Sequence, residues 1–339
     1  MSVATDVGQV VEELRSAERL LLTTHENPDG DALGSLLGMH QVLQALGKDS
    51  KMFMAAGEFP LPHEYRDMPL GEVILEPPAD LGQRLVVFLD CGNIDRMPVD
   101  FLQQDGMRIL NIDHHHDNTR FGTVNLVDPA ASCTAEIVYR LAGQLGVDVT
   151  PAMADSLYVG LVTDTGRFMY ENTTPESHRM AADLMETGVA SHDIYRRLYE
   201  TLPFGRIQLL ARALGKVERR DGGRITMASL TVEDFHETGS LETDSEGIVD
   251  HVRSVQGTVV GMLVRELLSE ERRGWRKVSL RAAGPRPVDV SRIARAMGGG
   301  GHRQAAGFST ELSLEEVVER VTQDIAEQLA SDNGDRPSS

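Results

Sequence analysis

RLLLTTHENPDGDALGS (19–35) joins a short apolar run to a polar loop and then to a helical pattern. Similar apolar runs recur in the first half of the chain, at 51–55, 84–90, 107–113 and 122–127. Helical patterns accompany them at 32–46, 133–145 and 151–163. Short, fully apolar strands that alternate with helices are typical of a parallel sheet with helices on both faces. The sequence therefore predicts an α/β fold built on a parallel sheet.

The length of the chain predicts more than one domain. Its 339 residues exceed the roughly 250–300 residues at which a single core stops growing. A well-charged helical pattern precedes a DGG turn, after which apolar runs resume. The predicted organisation is a first domain at 1–190, a helical linker at 191–217, a smaller α/β domain at 218–331 and a disordered tail at 332–339.

The charge of the chain is strongly acidic but unevenly distributed. The formal net charge is −19, whereas the segment from Arg265 to Arg303 holds ten Arg and Lys against four Asp and Glu. Proteins that coat long nucleic acids are usually basic, because neutralising phosphates supplies the affinity. We therefore expect no long nucleic acid as a partner. The basic segment suits a small phosphate-binding surface, although a solvated basic face is a common alternative.

Cysteine usage and hydropathy bear on the compartment. The chain has two cysteines, Cys91 and Cys133, and no CxxC pair. This usage excludes a disulfide scaffold and a thiolate zinc site, and it fits a reducing environment. No run approaches the roughly 18 apolar residues that a membrane span needs. We expect a cytoplasmic protein without a membrane partner.

Three apolar strands end on side chains that can bind metals. The first run ends at His25, the run at 84–90 ends at Asp90, and the run at 107–113 ends at Asp113. His114, His115 and His116 follow Asp113 directly. Ligands of open α/β sheets bind beyond the carboxyl ends of the strands. The three strands are therefore predicted to bring these side chains together at one edge.

The loop after the first strand adds two carboxylates. Asp29 and Asp31 flank Gly30 and follow Pro28. Pro-Asp-Gly is a turn sequence, so we expect the chain to fold back and bring both carboxylates near His25. A surface turn with solvated aspartates is the alternative, and the motif alone would favour it. Its coincidence with the two other strand ends favours the metal site.

Asp164 is a further candidate ligand. It follows the mostly apolar helical pattern at 151–163 and precedes Gly166. The C-terminus of a helix carries partial negative charge, so a carboxylate is unfavourable there. A bound cation would remove this conflict. An ordinary turn aspartate at a helix end is the alternative.

The candidate ligands outnumber those of a single ion. They are His25, Asp29, Asp31, Asp90, His114 and Asp164. Two divalent ions about 3.5–4 Å apart, bridged by one carboxylate, would use all of them. Carboxylate and imidazole without thiolate favour Mn²⁺ or Mg²⁺, with zinc, cobalt or iron possible. Such a site is suited to displacement at phosphorus.

Four segments together resemble the motifs of the DHH phosphoesterase superfamily. They are HENPDGDALGS (25–35), FLD (88–90), IDHHH (112–116) and VTDTG (162–166). GGGGHRQAAGF (298–308) resembles the glycine-rich motif of the DHH-associated C-terminal domain. Within the superfamily, the chain is most similar to the bifunctional oligoribonuclease and PAP phosphatase (nanoRNase) group.

The resemblance implies a role for each candidate in the first domain. One ion would be held by His25, Asp29 and Asp90, and the other by Asp31, Asp90, His114 and Asp164, with Asp90 bridging. His115 would contact the scissile phosphate and protonate or stabilise the leaving oxygen. Asp113 would orient the histidines. The resemblance also implies a homodimer.

The second domain offers candidate substrate contacts. Gly299, Gly300 and Gly301 lack side chains, so their backbone amides can approach a phosphate or base closely. His302 follows directly and could hydrogen-bond to the substrate. Arg281 lies on one face of a predicted strand and is a candidate phosphate contact, although a solvated arginine is an equal alternative.

The resemblance implies hydrolysis of short oligoribonucleotides and linear dinucleotides, such as pApA and pGpG, to mononucleotides. It also implies hydrolysis of 3′-phosphoadenosine 5′-phosphate (PAP), which would yield AMP. The alternatives are cyclic dinucleotides or pyrophosphate as substrates of the same site. A metal-dependent regulator that binds nucleotides without turnover is an alternative of another class.

Overall fold

The computed structural model describes residues 7–97, 99–102, 106–284, 288–301 and 303–332. The chain forms two compact units that divide between Thr201 and Leu202. The predicted linker at 191–217 spans this division, because its two helices fall one in each unit. The tail predicted from residue 332 lies outside the described residues, except that the last helix includes Asp332.

The first unit alternates strands and helices. Its strands are β1 (Arg19–Thr23), β2 (Asp49–Phe53), β3 (Val73–Ile74), β4 (Leu85–Leu89), β5 (Ile109–Asp113) and β6 (Val124–Val127). Its α-helices are α1 (Val7–Ser16), α2 (Gly30–Ala45), α3 (Thr134–Leu145), α4 (Pro151–Asp164), α5 (Pro175–Glu186) and α6 (Ser191–Tyr199). Among the described residues the strands form one parallel sheet in the order β3-β2-β1-β4-β5-β6. The predicted α/β class and parallel sheet are confirmed.

The two faces of this sheet are covered differently. Leu20, Leu22 and Val87 join a large core with side chains of the helices. Phe53 and Phe88 point to the other face. Within the described part of the unit, that face is covered by loops and single 3₁₀ turns rather than by the α-helices we predicted. Side chains that point to either face of these strands are apolar, which explains why the sequence predicted that both faces are covered.

The register of the central strands fixes the position of the site. Thr23 of β1 pairs with Phe88 of β4, and Leu89 of β4 pairs with Ile112 of β5. The three strands are parallel, so their carboxyl ends finish level at one edge. The residues that follow them therefore start close together.

Helices α2 and α4 approach each other closely on one face of the sheet. A Cβ atom on Gly34 would lie 2.5 Å from the Ser156 carbonyl oxygen and 2.9 Å from the Gly160 nitrogen. A Cβ atom on Gly160 would lie 2.9 Å from Oδ1 of Asp31. Real Cβ atoms do not approach neighbours this closely, so glycine is required at both positions. The contact brings the start of α2 beside α4.

The second unit is also α/β, with a mixed sheet. Its strands are β7 (Glu218–Arg220), β8 (Ile225–Leu230), β9 (Val260–Glu266), β10 (Arg276–Ala282), β11 (Gly300–Gly301) and β12 (Ala305–Thr310). Its α-helices are α7 (Phe204–Gly215), α8 (Val232–Thr238), α9 (Ile248–Arg253), α10 (Val290–Ala296) and α11 (Leu314–Asp332). The described strands pair in the order β11-β12-β10-β9-β8-β7, and only β8 and β9 pair in parallel. One core lies under α10 and α11, and a smaller core lies under α7, α8 and α9.

Helix caps agree with sequence signals at two places. Thr174 caps α5 with its hydroxyl, which accepts from the Ser177 N–H, and Pro175 occupies the first helical position. Ser313 and Glu316 form a reciprocal capping pair at the start of α11. No helix among the described residues is long and apolar enough to cross a membrane.

The contact between α2 and α4 gives a stability prediction. Gly34→Ala should lower the free energy of unfolding by about 1–3 kcal/mol, since the new methyl group meets the backbone of α4. Gly143→Ala is the control, because nothing lies within 4 Å of its Cβ position on α3. That change should stabilise by about 0.5–1 kcal/mol through backbone entropy. Urea unfolding of both variants would measure this, and equal stabilities would contradict the packing described.

Candidate metal centre

Acidic and imidazole side chains meet where β1, β4 and β5 end. His25 follows β1 by two residues, Asp90 follows β4 directly, and Asp113 is the last residue of β5. All three are buried. Asp31 comes from the first turn of α2, and Asp164 is the last residue of α4. The six predicted metal ligands therefore lie in one place, although sequence separates them widely.

A first group of metal-binding atoms comes from His25, Asp29 and Asp90. One ligand atom from each residue lies within 4.8 Å of the others. Nε2 of His25 is 3.7 Å from Oδ2 of Asp90. Two carboxylates and one imidazole make a donor set that suits a divalent cation.

A second group comes from Asp31, His114 and Asp164, again with ligand atoms within 4.8 Å of one another. Nε2 of His114 lies 4.0 Å from Asp31 Oδ2 and 3.5 Å from Asp164 Oδ2. The same nitrogen is 3.6 Å from Asp90 Oδ1. Asp90 therefore directs one oxygen to each group.

His115 lies beside both groups but has a different partner. Its Nδ1 is 2.7 Å from Asp113 Oδ1 and 3.6 Å from Asp90 Oδ1. The residues Asp90, His114 and His115 form a third group with ligand atoms within 4.8 Å. The short bond to Asp113 leaves Nε2 as the nitrogen of His115 that faces away from this carboxylate.

The loop after β1 differs from the predicted turn. Helix α2 already begins at Gly30, and Asp29 is its N-cap residue. Oδ1 of Asp29 accepts from the N–H groups of Asp31 and Ala32. The Pro-Asp-Gly sequence thus starts a helix rather than a turn. The outcome for the site is the same, since both carboxylates are brought to the edge of the sheet.

Asp31 also stabilises the start of α3. Its Oδ2 accepts from the Thr134 N–H at 2.6 Å and its Oδ1 from the Ala135 N–H at 2.9 Å. Ser132 and Thr134 offer hydroxyl groups at the start of this helix, but neither residue is its N-cap. The N-cap is Cys133, which makes no side-chain cap, and a carboxylate from α2 takes the place of a local one. The Thr134 hydroxyl instead donates to Asp90 Oδ1 at 3.0 Å.

The backbone is unusual beside two of the acidic residues. Asp90 has φ of 57°, and Gly166, Arg167 and Phe168 after Asp164 have φ of 55°, 64° and 62°. Such left-handed conformations cost energy for residues other than glycine, and they cluster at functional sites. The turn after Asp164 is held by Asn172, whose Nδ2 donates to Asp164 and to the Ser132 carbonyl oxygen.

The electrostatics of the cluster favour added positive charge. Burial, together with Asp90 and Asp164, raises the pKa of Asp31 well above its usual value. Burial also raises the pKa of Asp164 to about 7. Burial lowers the pKa of His114, but Asp164, Asp90 and Asp31 outweigh it and raise that pKa to about 9. Asp31 and Asp90 are buried and the side chain of Asp164 is only 26% exposed, so these carboxylates repel one another with little screening by solvent.

Asp90 differs from its neighbours. Burial would raise its pKa, but the adjacent ring of His25 and the nearby rings of His115 and His114 outweigh this effect, so its pKa is lowered. Asp90 is therefore the carboxylate that stays ionised most readily at the centre of the cluster. Two divalent cations fit this arrangement, because they would neutralise the remaining carboxylates and use the donor atoms of both groups.

Two asparagines near the site were not predicted. Asn118 contacts Asp113, and Asn172 contacts Asp164. An asparagine in a loop carries no distinctive signal, because the residue type is common in turns. Arg96 was also missed; its Nη2 lies 3.0 Å from Nδ1 of His25. Only the placement of these residues in the fold reveals their link to the site.

The predicted substrate contacts lie in the second unit, where the structure gives the glycines different environments. A Cβ atom on Gly299 would lie 2.1 Å from the Gly307 carbonyl oxygen. Gly301 has φ of 131° and a Cβ position 2.5 Å from the Ala305 carbonyl oxygen. These two glycines are therefore required by packing and conformation. Gly300 is exposed and nothing lies within 4 Å of its Cβ position, which leaves space there for a ligand. His302 lies outside the described residues.

Arg281 on β10 is held rather than freely solvated. Its Nε lies 3.6 Å from Oδ1 of Asp250 on α9, and its Nη1 donates to the Leu280 carbonyl oxygen. Arg253 pairs with the same Asp250 oxygen at 3.0 Å. One carboxylate thus faces two guanidinium groups, so a net positive charge remains.

Two protein families match the chain, one in each unit. Residues 19–161 match the family described as "DHH family, N-terminal domain", and residues 237–331 match the DHHA1 domain. The chain belongs to the DHH family of phosphoesterases, which act as hydrolases on phosphoester bonds.

Two relatives that match the chain over most of its length have the same name. The chain is 36% identical to the "Bifunctional oligoribonuclease and PAP phosphatase NrnA" of Thermus thermophilus, over 94% of this chain and 93% of that protein. It is 27% identical to the protein of the same name in Bacillus subtilis, over 89% of this chain and 92% of that protein.

Solved structures show the same fold. An exopolyphosphatase-related protein from Bacteroides fragilis has a TM-score of 0.82 at 26% identity, with 94% of this chain and 95% of that chain covered. RecJ from Thermus thermophilus in complex with Mn²⁺ has a TM-score of 0.54 at 15% identity, with 94% of this chain and 54% of that chain covered. The second similarity supports the fold alone.

The position of Asp90 between both groups gives a binding prediction. Asp90→Asn should weaken divalent metal binding by more than about 100-fold, since even partners behind a ligand are worth roughly 10- to 100-fold. Isothermal titration with Mn²⁺ would measure the loss. Saturating metal should also raise the melting temperature of the wild type, by mass action on the folded state, but not that of Asp90→Asn.

The control for this change is Asp148→Asn, which alters an exposed aspartate in the loop before α4. It should bind metal like the wild type. Addition of a chelator should remove the metal-dependent stabilisation from the wild type and from Asp148→Asn. Wild-type affinity in Asp90→Asn would show that the two groups do not form one centre.

Proposed function

We propose that this chain is a phosphoesterase with two metal ions that hydrolyses short oligoribonucleotides and linear dinucleotides, such as pApA and pGpG, to mononucleotides. We extend the proposal to PAP, which would yield AMP and phosphate. The observation that carries it is a pair of donor groups, one of which contains Asp90, while Oδ1 of Asp90 lies 3.6 Å from Nε2 of His114 in the other. The names of the relatives, at 36% and 27% identity over most of the chain, support the choice of substrates.

The proposed ligands follow the two groups. His25, Asp29 and Asp90 would hold one ion, and Asp31, Asp90, His114 and Asp164 the other, with Asp90 bridging. We propose Mn²⁺ as the ion, with Mg²⁺ or Co²⁺ as substitutes, because carboxylate and imidazole donors without thiolate suit these metals. Such a pair of ions lowers the pKa of a water molecule towards neutral and offsets negative charge on phosphate oxygens.

The proposed role of His115 follows from its hydrogen bond. Nδ1 is held by Asp113 at 2.7 Å, so Nε2 is the ring nitrogen that we propose faces the substrate. Hydrolysis of a linear dinucleotide adds water at phosphorus and breaks the bond to the 3′ oxygen. His115 would donate a proton from Nε2 to that leaving oxygen, while Asp113 keeps the ring oriented. The products are a nucleotide with a free 3′ hydroxyl and a 5′ mononucleotide.

The second unit is proposed to bind the substrate. The support is the net positive charge at Arg281 and Arg253 and the open space at Gly300. His302 belongs to this proposal from the sequence alone. The homodimer and the cytoplasmic location implied by the resemblance stay predictions; light scattering of the purified protein and microscopy of a tagged chain would test them.

A panel of substrates tests the proposed activity. With Mn²⁺, the protein should convert 5′-labelled pApA and pGpG to mononucleotides and PAP to AMP, and Asp90→Asn should not. Cyclic dinucleotides, pyrophosphate and a long RNA in parallel reactions should react far more slowly.

Each other result of the panel has a definite meaning. Faster turnover of a cyclic dinucleotide or of pyrophosphate would change the proposed substrate but not the proposed metal-dependent hydrolysis at phosphorus. Tight binding of nucleotide without product at any metal concentration would favour a regulator and refute the enzyme.

Arg281 gives a separate kinetic prediction. Arg281→Ala should raise KM for a dinucleotide about 10- to 100-fold with little change in kcat, because a hydrogen bond to a charged group is worth about 1.5–3 kcal/mol. Arg273→Ala is the control, since this arginine belongs to the same basic segment but its side chain is 86% exposed. Steady-state kinetics with pApA would measure both, and an unchanged KM in Arg281→Ala would remove Arg281 from the binding site.

A further inference from the structure

The Asp113 carboxylate uses both of its oxygens in hydrogen bonds. Oδ1 faces Nδ1 of His115 at 2.7 Å, and Oδ2 accepts from Nδ2 of Asn118 at 2.5 Å. Asp113 has no exposed surface. A buried carboxylate oxygen without a partner is costly, so Asn118 is what allows Asp113 to keep this orientation.

The orientation of the Asn118 amide is itself determined by its surroundings. Besides Asp113, Nδ2 lies 2.7 Å from Oδ1 of Asn111 and 3.2 Å from the Cys91 carbonyl oxygen. These three neighbours present acceptor oxygens, so the atom between them must be the NH₂ group. The amide oxygen on the other side accepts from the Arg120 N–H at 2.6 Å. Asn118 therefore cannot turn over without losing bonds at both ends.

Two carboxylates compete for the same nitrogen of His115. Nδ1 is 2.7 Å from Asp113 and 3.6 Å from Asp90. Oδ1 of Asp90 lies 3.6 Å from Nε2 of His114 in the second group, so a bond from His115 would occupy an oxygen that the proposed metals need. The position of Asp113 decides which carboxylate His115 uses, and Asn118 fixes that position.

We propose that Asn118 is a positioning residue that keeps His115 on Asp113 and away from Asp90. It thereby keeps Nε2 of His115 directed away from Asp113, and it keeps the ring off Oδ1 of Asp90, which already accepts from the Thr134 hydroxyl and which the proposed metals need. The kinetic part of this inference rests on the proposed function; the hydrogen-bond part does not.

Nuclear magnetic resonance of the metal-free protein tests the hydrogen bond directly. In ¹⁵N-histidine-labelled protein, the Nδ1 proton of His115 should give a downfield resonance that disappears in His115→Gln. We expect it to persist in the wild type and to be lost in Asn118→Ala and in Asn118→Asp. The second variant keeps the volume of the side chain but replaces its donors with acceptors, so it separates loss of the bond from creation of a cavity.

The kinetic readout separates positioning from general damage. With pApA, Asn118→Ala should lower kcat about 10- to 100-fold, the range found for partners behind a functional residue, while KM changes less than about twofold. Asn118→Ser keeps one O–H donor and should retain more of kcat and of the resonance. It also gives a second, smaller change if the alanine variant does not fold.

Asn125→Ala is the matched control. Asn125 on β6 makes the same kinds of bond, to the backbone of Gly122, without a hydrogen bond to Asp113. It should keep both the resonance and kcat. A folded Asn118→Ala protein with an unchanged resonance and kcat would overturn the proposal, as would an equal loss in Asn125→Ala. If the wild type hydrolyses no phosphoester, the proposed function fails, whereas the resonance alone still decides the role of Asn118.

Discussion

Repulsion between buried carboxylates is the constraint on which this molecule depends. Asp31, Asp90 and Asp164 lie within reach of one imidazole, that of His114, in a space with little water. The raised pKa values of Asp31 and Asp164 express the cost of that arrangement. Acidic groups that repel one another stay close together only where the surrounding backbone fixes their positions. Here the parallel register of β1, β4 and β5 fixes the three strand ends, and the close contact of α2 and α4 fixes Asp31 and Asp164.

Hydrogen bonds to the carboxylates of the site also stabilise the helices around it. Asp29 caps α2, Asp31 bonds to the start of α3, and the hydroxyl of Thr134 returns from α3 to Asp90. Each bond satisfies a polar group that burial would otherwise leave unpaired. The same bonds hold the carboxylates at fixed places before any cation arrives. Because the carboxylates are already held in place, metal binding loses less conformational entropy.

Much of this could be predicted from the sequence, and the rest could not for physical reasons. Apolar strands that end on His25, Asp90 and Asp113 point to a single edge, because parallel strands finish together. The start of α2 was misjudged, since Pro-Asp-Gly suits both a turn and a capped helix start, and only the packing against α4 selects between them. The missing cap of α3 is supplied by Asp31, more than 100 residues away in sequence. Asn118 has no signal of its own, because its importance lies entirely in what surrounds it.

Asp31 serves the fold as well as the site, and this has a consequence for how such a chain can change over generations. A descendant that lost His114 and Asp164 would lose the second group of metal ligands but would still need a carboxylate at position 31 to hold the start of α3. That aspartate would then outlast the catalysis it once served. An aspartate at position 31 in a distant descendant would therefore indicate a shared fold, whereas a histidine at position 114 would indicate a shared reaction.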